Sequence, residues 1–231
     1  MGLQDTNFNY CDVPQPSMAL NALWRDRENG AKTLVPGALQ FANTMEVDPD
    51  KHDVAHVFGH ARNIGRGAGR MNALAIHCHG GGYPRGLPET KEGRCGFGYE
   101  LLICTGGLHI GKAALLPDLT TAFKVIIFAS CATAEVSIPG GAPPSKAGGS
   151  IGIGDGVMFC KAVARAAGIP VLASNENQHY PSKGPCPFGM VPMQGQWLVF
   201  RPSEEPQPFA KFPRFSTFDD IARRLDLAQC R

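Results

Sequence analysis

Two unbroken apolar runs, each closed by a residue able to do chemistry, constrain this chain more than any other feature. NALAIHCHG carries residues 72–80 to His79 and Gly80, and KVIIFASCATA carries residues 124–134 through Cys131. Five or six consecutive apolar residues do not suit a strand with one wet face; they suit a strand covered on both faces, as in a parallel sheet. Ligands of open α/β sheets gather beyond the carboxyl ends of such strands. His79 and Cys131 are therefore expected to point into one crevice.

The rest of the chain supplies the alternation that an α/β fold requires. Residues 1–50 read as an N-terminal arm with a helix packed on the core. Its first 16 residues lack a period, and Ser17 caps a helix that ends at Gly30. Strands are expected around Thr33 to Val35 and around Leu39 to Phe41, with Pro36 and Gly37 interrupting them. Asp53 to Asn63 reads as a short helix, and GRGAGR (65–70) as the turn feeding the His79 strand. ELLICTGG is a second apolar run, KAALLPDLTTA is helix-like, and KVIIFASC is the next strand. GDGVMFCKAVARAAG reads as a helix stopped by Gly168, followed at once by the strand IPVLAS. WLVF (197–200) reads as an edge strand. Thr217 and Asp220 form a capping-box pattern for a terminal helix.

Composition removes whole classes of function. The chain has 231 residues, 43% hydrophobic and 18% charged, with a formal net charge of +2. No dense Lys/Arg stripe accompanies that small charge, so nucleic-acid binding is not expected. No stretch reaches the ~18 apolar residues of a membrane span, and the N-terminus has no signal-peptide pattern. The expected location is the cytoplasm, or outside the cell without a cleaved signal. The eight cysteines form no CxxC pair, which argues against a zinc ribbon or disulfide scaffold and for a reducing compartment. No cofactor or metal is called for. Of the 28 glycines, 13 fall in two long segments, 80–98 and 132–154, expected to flank the crevice and shape a substrate groove.

A cysteine attacks as its thiolate, and a neighbouring imidazole can take the thiol proton and later deliver it to a leaving amine. The tetrahedral intermediate needs backbone N–H donors at the oxyanion, and a glycine beside the histidine lets substrate approach the main chain. Gly80 and the amide of Cys131 are the candidate donors. His77 shares the strand face of His79, but Gly80 follows His79 and favours it as the base. The order is histidine first, with cysteine 52 residues later. Papain-like enzymes run the other way.

These residues resemble the caspase-like (clan CD) cysteine peptidases, and most closely their bacterial CHAT-type branch. Across roughly residues 70–175, ELLICTGGLHIGKAALLPDLTTAFKVIIFASCATA is similar to the hairpin, helix and cysteine strand of that branch. GDGVMFCKAVARAAGIPVLAS is similar to its next unit. The resemblance implies an α/β/α caspase-like sandwich with a mostly parallel sheet over residues 51–231. It also implies hydrolysis of a polypeptide substrate, with His79 as base and acid and Cys131 as nucleophile, in a bacterial effector, toxin or defence setting. An activating partner or self-processing near Lys146 is a further implication. Caspases carry Gln-Ala-Cys and a glycine where this chain has Ala129-Ser130-Cys131-Ala132, so aspartate specificity does not transfer. Asp155 or Glu176 could supply an acid to a specificity pocket, although an Asp before a helix commonly serves as its N-cap.

Four rival readings stand beside this one. HGGGY (79–83) resembles the oxyanion loop of α/β-hydrolase esterases, and GGSIG (148–152) fits G-x-S-x-G, but PPSKAG rather than a strand precedes Ser150. His52, His56 and His60 recur every four residues and, with His77 and His79, could form a metal site. The fold could carry a catalytically inactive binding module. The opening MGLQDT fits a myristoylation pattern at Gly2.

Overall fold

In a computed structural model, the chain builds an α/β protein around one eight-stranded mixed sheet. The residues described are 17–25, 30–35, 37–81, 100–136, 155–176, 178, 186–212, 215–217, 220–221 and 224–225. The MGLQDT opening, Lys146, GGSIG and most of both long segments, 80–98 and 132–154, lie outside them.

The sheet is made of β1 (Met18–Arg25), β2 (Lys32–Leu34), β3 (Asn43–Val47), β4 (Met71–His77), β8 (Phe123–Ala129), β9 (Val171–Ser174), β11 (Gly195–Phe200) and β12 (Gln207–Phe212). Its order is β12-β11-β9-β8-β4-β1, with β2 and β3 sharing the far side of β1. Strands β3, β1, β4, β8 and β9 run parallel, whereas β11, β12 and β2 are added antiparallel. A three-stranded patch of β5 (Gly80–Gly81), β6 (Glu100–Leu101) and β7 (Leu108–His109) follows β4. A two-stranded patch pairs β10 (Met190–Pro192) with β13 (Phe215–Thr217).

The two apolar runs became strands because both faces of each are covered. All seven residues of β4 are buried, as are six of seven in β8. Helices α1 (Val54–Gly67) and α3 (Gly156–Ala167), with the four-residue α2 (Ile110–Ala113), place Val57, Phe58, Phe159, Val163 and Ala113 in one core cluster with Leu74, Ile76, Ile126 and Phe128. The other sheet face buries Ala73, Ala75, Ile127, Ala129, Leu172 and Trp197 against Leu39, Cys186, Val191, Met193 and Ile221. The described helices α1 to α3 all serve one face, and the helical residue Ile221 packs on the other.

The N-terminal helix is a strand. Met18 through Ala22 are buried one after another, between β3 and β4, so this segment is sheet interior. A helix covers one stripe, while consecutive burial needs two covered faces. Ser17 is itself buried rather than capping. The second strand lies at Asn43–Val47, not at Leu39 to Phe41. KAALLPDLTTA yields only α2, because Pro117 removes an N–H and restricts the residue before it. WLVF is not an edge, since β12 closes it off despite Pro208 and a register shift at Trp197/Leu198. Thr217 ends β13, with helical residues appearing at Asp220 and Ile221.

Helix α1 stands where expected but runs on to Gly67, into the stretch read as a turn. Asp53 caps α1, accepting the His56 N–H at 2.7 Å. Gly168 ends α3 in the left-handed region at φ 71°, the conformation that favours glycine there. Among the described residues, no helix is long and apolar enough to cross a membrane.

Candidate functional site

Strand register decides which residues meet. Neighbours β4 and β8 run parallel with His77 opposite Ala129. Two residues further along the same register, His79 stands opposite Cys131. Strand β9 lies on the other side of β8 with Leu172 opposite Ile127, so Cys131 in turn stands opposite Glu176. Side chains alternate between faces, which puts His77, Ala129 and Ser174, the last residues of the three strands, on the face carrying Ala75 and Leu172. His79, Cys131 and Glu176 each lie two residues past these ends, at one carboxyl edge of the sheet.

Main-chain contacts hold this edge together. A Cβ on Gly80 would collide with the carbonyl oxygen of Cys131, and the Cys131 nitrogen lies 3.8 Å from that Cβ position. Only glycine permits so close an approach of the two backbones. The His79 carbonyl accepts the Leu102 N–H at 3.0 Å, and Gly80 pairs with Leu101 in the antiparallel β5–β6 ladder. Alternation within that ladder turns the Gly80 N–H away from β6. Just after Cys131, Ala132 adopts φ 42°, an uncommon conformation for a residue with a Cβ. Its N–H donates to the Glu176 carbonyl at 2.9 Å, fixing the turn that begins at Cys131.

Burial favours the neutral form of both the Cys131 and the His79 side chain. Burial pushes the Cys131 thiol up and the His79 imidazole down from their ordinary values. The Cys131 thiol donates to the Gln178 carbonyl at 3.5 Å, while the buried Nε2 of His79 has no hydrogen-bond partner. The Trp24 ring packs on the His79 imidazole in a T-shaped contact, with centroids 5.1 Å apart at 88°, and limits its tilt. His77 lies wholly inside the sheet, where burial, helped by His79, drives its pKa down to about 3. It is a core residue, whereas His79 sits one step beyond the strand and only half-buried.

Sequence reasoning did not find Gln178 or Trp24. Gln178 is clamped by its side chain: its Nε2 donates to the carbonyls of Glu176 (3.0 Å) and Gln194 (3.1 Å), and its Oε1 accepts the Gln194 N–H (2.8 Å). These contacts come from β11's approach and leave no local sequence signal. Trp24 was hidden because its strand read as a helix.

The two candidate acids have different fates. Asp155 is the N-cap of α3, its side chain accepting the Met158 N–H at 2.9 Å. Glu176 is exposed, and its carboxylate accepts the Gln196 N–H at 3.0 Å over Gly195. The histidines of the rival metal reading do not gather. His52 stacks on His56, and His56 and His60 face solvent. Among the described residues, no group of three or more His, Cys, Asp or Glu is placed to hold a metal ion.

The chain matches no protein-family model, no curated protein and no solved structure.

Proposed function

We propose that this chain is a cysteine endopeptidase with a caspase-like sheet, working through a His79–Cys131 dyad. The observation that carries the reading is the register of β4 and β8, which sets His79 opposite Cys131 just past two buried parallel strands. Nε2 of His79 takes the thiol proton, and the Cys131 sulfur bonds to the scissile carbonyl carbon. The carbonyl oxygen becomes an oxyanion within reach of the Gly80 and Cys131 amides. The C–N bond then breaks as His79 returns the proton to the leaving amine, leaving a thioester. Water, deprotonated by His79, attacks the thioester, releases the new carboxyl terminus and restores the thiol.

Burial favours the neutral thiol and the neutral ring, so the ion pair forms only as the two groups exchange a proton. The attraction within the pair then offsets the desolvation of each charge.

The test is intact-mass labelling with peptidyl acyloxymethyl ketones, which need an activated thiolate. Wild type is expected to take one label on Cys131, and Cys131→Ala and His79→Ala are expected to take none. One observation favours an inactive binding module on the same fold: the thiol is bonded to the Gln178 carbonyl rather than to His79. Labelling of Cys131 that survives His79→Ala undiminished, or no labelling of wild type, would decide for that module.

A further inference from the structure

We infer that Trp24 seats the side chain of the residue that follows the scissile bond and favours an apolar one there, aromatic or aliphatic. This rests on the peptidase reading and adds to it one position of the substrate.

The chemistry sets where that residue sits. The sulfur of Cys131 bonds to the carbonyl carbon of the residue before the cut, while His79 returns its proton to the nitrogen of the residue after it. That nitrogen must come within about 3 Å of the imidazole, and the carbon bearing the next side chain is only ~1.46 Å further along the chain. The leaving residue therefore lies at His79, and a group that flanks the ring on the side away from Cys131 is placed to meet its side chain.

Trp24 is that flank. The strand order β8-β4-β1 carries Cys131, His79 and Trp24 in succession across the sheet, and the indole packs against the His79 ring with centroids 5.1 Å apart. Its backbone is fixed, because β1 is paired on both sides: Asn21 stands opposite His77 of β4, Ala22 opposite Val47 of β3, and Trp24 itself opposite Thr33 of β2. A side chain held on a rigid strand makes a wall of constant position.

The surface left open points to the chemistry of the ligand. Met18 through Ala22 of the same strand are sealed, yet Trp24 keeps 40% of its surface exposed beside the base. Covering an indole with an apolar side chain removes a large area from water, and tryptophan is prominent among the residues that concentrate binding energy. A cation can also rest on an indole. Here it would meet the imidazolium that forms during attack, and Arg25 next along β1, so like charges disfavour lysine or arginine at this position.

The experiment digests a proteome-derived peptide library with the full chain and reads the new amino termini by mass spectrometry, so that the residue after each cut is seen directly. Labelling of Cys131 by peptidyl acyloxymethyl ketones runs in parallel. We expect Phe, Tyr, Leu, Ile and Met to be enriched about tenfold over Gly, Asp and Lys at the new termini. In Trp24→Ala that enrichment should shrink to within about twofold of none, and Trp24→Phe should keep part of it. The profile of residues before the cut should stay that of wild type in both variants. A role confined to holding the His79 ring would slow every cut alike and leave both profiles unchanged. That result, or cleavage by wild type without the apolar preference, overturns the inference and leaves the peptidase reading standing. Labelling of Cys131 without any new termini also overturns the inference, and neither termini nor labelling sinks both.

Discussion

The two faces of the central sheet are built to different rules. Against the helices, Leu74, Ile76, Ile126, Phe128, Val171 and Ala173 meet Phe58, Phe159 and Val163 in an apolar interior. The opposite face also has apolar residues, but it carries His77 and Ser174 among them, and His79, Cys131 and Glu176 lie just past its strand ends. Behind the site, Ser174, Gln178 and Gln194 bond to one another and to the β11 backbone. The helix side accounts for cohesion, and the other side holds polar groups whose placement depends on that cohesion.

Phe159→Ala should give the largest effect, because Phe159 is buried and stacks on Phe128 at 5.9 Å. Truncating it costs about 3–5 kcal/mol of folding free energy, readable as a fall in the urea midpoint. Comparable stability in variant and wild type would break the division of labour between the faces. Gly80→Ala comes next. Its methyl group meets the Cys131 carbonyl, so under the proposed peptidase function His79, Cys131 and the two amides lose register, and kcat/KM should drop by about 10²–10³. Near wild-type turnover in that variant would mean that the two backbones do not need this close approach.

His77 gives the smallest effect and sharpens the contrast. Its folded pKa of about 3 lies below the ordinary 6.5 because burial disfavours the charged ring. Between those values the unfolded chain binds a proton that the folded chain refuses, so stability is full above pH 6.5 and falls as the pH drops towards 3. The slope is about 1.4 kcal/mol per pH unit. Urea midpoints at pH 7 and pH 5 should show wild type losing about 2 kcal/mol more than His77→Phe. Equal losses would mean that the buried ring is not the acid-sensitive element of this face.

How much of this was legible depended on whether the signal was local. Strands β4, β8 and β9 declared themselves as continuous apolar runs, and α3 was bounded by Asp155 and Gly168, whose capping chemistry is written in neighbouring residues. Strand β1 did not, because Ser17 and Gly30 mimic helix caps while the burial that makes Met18–Arg25 a strand comes from β3 and β4, distant in sequence. His79 and Cys131 were visible as the residues closing two runs. The position of Glu176 beside Cys131 was not, since it follows from register across β8 and β9. Gln178 and Trp24 were out of reach for the same reason, each being defined by a contact with another element.

The chain has only two tryptophans, and they sit at opposite extremes. Trp197 is sealed in the sheet, while Trp24 is 40% exposed and lies against the His79 ring. An imidazolium quenches indole emission more strongly than a neutral imidazole does. The exposed fluorophore is therefore a native optical probe of the proton on His79, able to report its titration and the arrival of a ligand without any added dye.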